Sequence, residues 1–185
     1  AQNLLSYEIE WNYNNNGKGA GSGCPNGIEI AHNGRNLKIL VPSLKANLTS
    51  SSKRLARKFC RIVIPTRLSG QRYISEITQS ISYGYKRTRN TRGEIFSSIS
   101  TPLLNRSLLL KGAVPNPNHD QLFIKKITLI KKTQFSPSES LCDNNDKSSN
   151  FIFEVGLSAR RPYLDEEIIV NIGESSYFTI NLSPK

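Results

Sequence analysis

Apolar and polar residues alternate with a period of two along most of this chain. Phe151, Phe153, Val155 and Leu157 are spaced two apart, with Ile152, Glu154 and Gly156 between them. Leu5, Tyr7, Ile9, Trp11 and Tyr13 repeat the pattern against Ser6, Glu8, Glu10 and Asn12. An extended chain turns successive side chains to opposite faces, so this spacing demands half-buried strands. The same signature recurs at 59–64, where Cys60, Ile62 and Ile64 share one side, and at 71–85, 94–100, 103–110, 122–132, 167–172 and 176–182. Asn33-Gly34 is a hairpin turn between 28–31 and 37–41, and Pro42 ends the second of those strands. The alternation slips at Lys125-Lys126, which predicts a bulge. Residues 45–58 read as a long basic loop, and the last two strands as a pair around Gly173. About ten strands without an amphipathic helix predict an all-β, antiparallel β-sandwich, with a jelly roll as one variant. Residues 1–185 suffice for a single domain.

Charge is segregated along this pattern. The net charge is +11. Between Lys45 and Arg92 there are twelve Lys and Arg against one acid, Glu76, while residues 1–44 balance three against three and residues 93–185 ten against ten. Lys53, Arg54, Arg57, Lys58, Arg61, Arg67, Arg72, Lys86, Arg87, Arg89 and Arg92 are the candidate anion-binding set, with Tyr73, Tyr83 and Tyr85 interleaved as stacking candidates. Eight of the twelve cations are Arg, whose planar fork matches phosphate and sulfate with two hydrogen bonds. Such a set suits acidic glycan, lipid headgroups or nucleic acid, and equally a solvated face. Lys125-Lys126 and Lys131-Lys132 suit the protection of a sheet edge.

No catalytic signature stands out. The glycines of 14–27 fit neither a dinucleotide fingerprint nor a phosphate-binding loop. His32 and His119 are the only histidines, and no triad spacing surrounds them. Glu8, Glu10, Glu76 and Glu154 are the candidates for a glycosidase carboxylate pair. Asp165-Glu166-Glu167 and Asp143-Asn144-Asn145-Asp146 carry oxygen ligands that calcium uses, without the EF-hand spacing. The expectation is no metal, no cofactor and no catalysis. No apolar run approaches the length that spans a bilayer.

The three cysteines, Cys24, Cys60 and Cys142, are enough for one bridge and one leftover thiol. Gly21-Ser22-Gly23-Cys24-Pro25-Asn26-Gly27 is similar to the Gly-Ser-Gly-Cys-Pro-x-Gly signature of a secreted domain-of-unknown-function family of fungi and bacteria. Arg57-Lys58-Phe59-Cys60-Arg61-Ile62 resembles that family's second cysteine, 74–85 its following strand, and 135–142 its third cysteine. The resemblance implies secretion, a Cys24–Cys60 disulfide and a β-rich fold, and it brings no activity with it. Such a bridge closes about 35 residues and is worth roughly 3–4 kcal/mol. The family's fourth cysteine, near the C-terminus, is missing here, which leaves Cys142 as the odd one. The absence of Met at Ala1 matches a chain whose signal peptide has been removed.

These features predict a secreted, non-catalytic binding protein with a basic face for an anionic partner. The alternatives are a protein–protein interaction module with incidental charge, and a carbohydrate-binding module or weak hydrolase.

Overall fold

In the computed structural model, residues 5–7, 29–32, 36–41, 43–68, 72–116, 123–139, 147–173 and 175–184 are described. Among them there is no helix. Twelve strands form two antiparallel sheets: β1 (Leu5–Tyr7), β2 (Glu29–His32), β3 (Asn36–Leu40), β4 (Leu44–Leu48), β5 (Leu55–Leu68), β6 (Arg72–Arg87), β7 (Arg92–Ser100), β8 (Leu108–Ala113), β9 (Phe123–Gln134), β10 (Lys147–Arg160), β11 (Ile168–Ile172) and β12 (Tyr177–Pro184). Sheet A runs β1-β5-β10-β7-β8. In sheet B the long strand β6 carries β9 on one edge and both β11 and β12 on the other.

Two strands of sheet B are broken rather than reversed. β12 and β11 pair successive lengths of β6, and β3 and β4 pair β12 and β11 in turn. The expected pairing of the last two strands around Gly173 is therefore corrected. Gly173 N–H donates to Ser82 O at 2.7 Å, Ser176 Oγ accepts from Ser82 N–H at 2.8 Å, and Val41 N–H donates to Ser176 O at 2.9 Å. These bonds carry both broken strands onward across β6, with ladder bonds replaced by a side chain at the crease. Counted this way, the chain from β3 onward changes sheet at every connection except the β7–β8 hairpin. That interleaving of two packed four-stranded layers is a jelly roll.

The alternating residues fill the space between the sheets. Ile62, Ile64, Phe151, Phe153, Val155, Ile95 and Ile99 of sheet A face Ile39, Ile77, Ile81, Tyr83, Val170, Phe178 and Ile180 of sheet B, all buried. Phe153 and Phe178 meet across the middle with ring centroids 5.2 Å apart. Polar contact crosses too: Gln79 Nε2 donates to the carbonyl oxygen of Ser97 at 3.1 Å and to its hydroxyl at 3.0 Å. The predicted hairpin of β2 and β3 is formed. The register of β9 on β6 shifts between Ile127 and Ile124, so the bulge falls at Lys125-Lys126 as the alternation requires. β9 is the sheet edge, with Lys126, Lys131 and Lys132 exposed. The loop expected at 45–58 is shorter than its composition suggests. Leu44, Ala46 and Leu48 face the core from β4, and β5 starts at Leu55. The strand expected at 103–110 starts later, at Leu108, because Leu103 and Leu104 bury themselves from the connection instead.

Cys60 is fully buried on β5 and disulfide-bonded, and both other cysteines lie outside the described residues. The family resemblance implies Cys24 as the partner. Non-reducing peptide mapping should recover a Cys24–Cys60 peptide and a free Cys142. A Cys60–Cys142 peptide is the contrary result.

Candidate anion-binding site

Because consecutive strands enter different sheets, the basic stretch of the sequence is split. The β5 cations go to sheet A and the β6 cations to sheet B. On the outer face of sheet A the register sets out rows across β5, β10, β7 and β8. The first is Leu55, Arg160, Arg92; the second Arg57, Ser158, Glu94, Ala113; the third Phe59, Gly156, Phe96, Lys111; the fourth Arg61, Glu154, Ser98, Leu109. Arg57, Arg61, Arg92, Lys111 and Arg160 are exposed on this face, and Lys58 is exposed beside it. A groove of about 410 Å³ lies among Arg57, Lys58, Phe59, Phe96, Glu94 and Lys111. One wall is Phe96, whose ring lies over the bare backbone of Gly156, where a Cβ would collide with it. Lys111 Nζ sits 3.7 Å from Glu94 at the rim.

Arg92 and Arg160 are directly opposite on neighbouring strands, both exposed. Like charges in that relation repel by up to about 1 kcal/mol. Neither makes a hydrogen bond or ion pair among the described residues. The sheet thus ends in a pair of guanidinium groups that an added anion would bridge.

The loops at this end of the sandwich are braced by two buried arginines. Arg161 is 1% exposed and has no carboxylate partner among the described residues. Its Nε donates to Lys53 O at 2.9 Å, and its Nη1 to Leu48 O at 3.3 Å, Leu164 O at 3.2 Å and Glu166 O at 3.1 Å, while Nη2 donates to Ser51 O. One guanidinium therefore fixes the 49–54 and 161–167 loops together. Arg87 does the same for the 88–91 turn and the segment after β8. It donates to Val114 O at 2.8 Å and to Thr91 O. Burial, with Arg92 adding to it, holds the Arg87 pKa below its usual value. Glu166 closes the circle, accepting from the Thr88 hydroxyl and from Asn90 Nδ2 at 2.9 Å. Lys53 and Arg54 stand exposed on the braced 49–54 loop.

Those two hydrogen bonds hold the Glu166 carboxyl below the ordinary carboxylate range. A depressed folded-state pKa adds stability that is complete above the unfolded value and is lost as pH falls through the folded one. Glu166→Gln should therefore be less stable than the parent near neutrality, with the gap closing in strong acid. Urea melts across pH check it, and a gap that widens in acid contradicts it.

Several expected site residues are placed elsewhere. Tyr83 and Tyr85 are not stacking platforms. Both are 3% exposed and face the core, 6.3 Å apart, because the irregularity around Ser75 sets the inward phase of β6. Burial, and then Tyr85 beside it, raises the Tyr83 pKa. Arg87 is consumed by carbonyl groups, and Arg72 is 7% exposed on the inward face of β6. Lys86 lies on sheet B, on the face opposite to Arg57. Tyr73 lines a groove of about 510 Å³ with Glu76 and Asn181 on sheet B, at the far end from Arg92. The side chain of Arg67 is outside the described residues. Lys53, Arg54, Arg57, Lys58, Arg89 and Arg92 are exposed at or beside the braced end, whereas Arg61 is exposed midway along β5, opposite Glu154. Arg160, Lys111 and Phe96 join them from strands outside the basic stretch. The alternation of β10 puts Arg160 on the face of Glu154, the one sequence signal for it.

Glu76 and Glu154 lie on opposite outer faces of the sandwich. Two sheets stack about 10 Å apart, so this pair exceeds the separation of glycosidase carboxylates. Glu8 and Glu10 lie outside the described residues, as does the Asp143 to Asp146 loop proposed for calcium. At Asp165-Glu166-Glu167 the Glu166 carboxylate is already engaged.

No protein-family model matches this sequence, and no curated protein matches it either. Among solved structures, the carbohydrate-binding module TmCBM61 in complex with beta-1,4-galactotriose aligns at 4% identity over 78% of this chain and 89% of that one, with a TM-score of 0.21. A structure of infectious bursal disease virus, Gt strain, aligns at 9% identity over 79% of this chain and 42% of that one, with a TM-score of 0.12. Likeness at this level carries no argument about function.

Proposed function

We propose that this is a secreted, non-catalytic protein that binds an anionic partner reversibly at the braced end of its jelly roll. The observation that carries the reading is the directly opposed Arg92 and Arg160, flanked by exposed Lys53, Arg54 and Arg57. The β-fold tolerates their repulsion in its free state, and a phosphate, sulfate or carboxylate between them turns it into attraction. The disulfide-bonded Cys60 suits an oxidising compartment.

Affinity for heparin and for duplex DNA, titrated against salt, tests the proposal. Binding should weaken steeply from low to moderate salt, because each contacted charge releases a counterion. No binding at low salt, or binding that salt leaves unchanged, rules it out.

A further inference from the structure

We infer that the braced end docks on an anionic lipid surface, with Leu55, Tyr163 and Leu164 entering the interface. This rests on the anion-binding reading above and adds the occupant. Among the described residues five large hydrophobic side chains are exposed, and three of them are here: Leu55 at 40%, Tyr163 at 63% and Leu164 at 49%. Leu55 opens β5 directly opposite Arg160. Tyr163 and Leu164 cap the 161–167 loop. Arg161 holds the two segments together, its backbone N–H donating to Arg54 O at 2.9 Å and its Nη1 to Leu164 O at 3.2 Å. The apolar tips are thus presented by a braced frame. The braced frame turns all three side chains outward.

Lys53, Arg54, Arg57, Arg92 and Arg160 surround these tips. Asp165 and Glu167 oppose them on the same loop, and the Glu166 carboxylate is held by Thr88 and Asn90. Cations around exposed Leu and Tyr match an anionic bilayer, which offers headgroup charge at its surface and hydrocarbon just beneath it. Tyr suits that boundary, with an apolar ring and a polar tip. Nucleic acid and acidic glycan satisfy the cations and leave the leucines in water.

The experiment compares co-sedimentation with vesicles of phosphatidylcholine alone and of phosphatidylcholine with phosphatidylserine, beside retention on heparin. The parent protein should bind the mixed vesicles and not the neutral ones. Leu55→Ser/Tyr163→Ser/Leu164→Ser should lose at least about tenfold in vesicle affinity, equivalent to partial burial of a single leucine, while heparin retention and melting temperature stay put. A Tyr163→Trp variant should show a blue-shifted emission on the mixed vesicles. Heparin binding without vesicle binding overturns the lipid inference and leaves the anion-binding reading standing. Absence of both overturns both. Full vesicle affinity in the triple-serine protein overturns the role of the apolar tips.

Discussion

Replacing Arg161 with Met should destabilise the protein by about 3–5 kcal/mol, although the residue contacts no carboxylate among the described residues and lies outside the basic stretch. The side chain has similar length, so packing changes little. What is lost is the donor set that serves the carbonyl oxygens of Leu48, Ser51, Lys53, Leu164 and Glu166. Those oxygens sit around a group that is 1% exposed, so water is poorly placed to replace it. For a chain of this size the loss corresponds to a fall in melting temperature of about 10 °C or more. Hydrogen exchange should rise in the 49–54 and 161–167 loops before it rises in β5 or β10. Arg161→Lys should fall between parent and Met, because an ammonium has three donors and no planar spread. A melting temperature unchanged in both variants contradicts the bracing.

Arg160→Gln, made together with Arg92→Gln, should act on stability and binding in opposite directions. Removing the facing charges relieves a repulsion, so the fold should gain a few tenths of a kcal/mol to about 1 kcal/mol. Polyanion affinity should drop by about tenfold to a hundredfold, since a charge-assisted hydrogen bond is worth about 1.5–3 kcal/mol. A stabilising change that impairs binding marks residues kept for a task the fold does not need. Thermal melts and heparin titrations on one preparation report both signs. If the double variant is less stable and binds as before, the pair is a structural feature.

The sandwich was legible because burial enforces the pleat. Phe151, Phe153, Val155 and Leu157 alternate as read, and each is buried on one face of β10. The slip at Lys125-Lys126 and the pairing of β2 with β3 were legible for the same local reason. The breaks in β3/β4 and β11/β12 were not, since a strand that bends and continues has the same composition as one that turns back. Only the register on β6 separates the two. The basic stretch predicted a surface but not its shape. β5 and β6 are neighbours in sequence and lie in different sheets, so Arg57 and Lys86 face opposite ways. Arg87 looked like its neighbours Lys86 and Arg89, and only the loops folding over it make it a brace. Arg160 was hidden by the converse effect: β10 comes far later in the chain and lands beside β7.

The central claim, that cations on different strands form one anion-binding end, is tested most directly by the salt dependence of binding to a short DNA duplex, used as a defined array of phosphates. On a plot of log affinity against log salt the parent should fall steeply. The Arg92→Gln/Arg160→Gln protein should give a line shallower by about 2, roughly 0.9 per lost phosphate contact. Parallel lines for the two proteins would contradict the account.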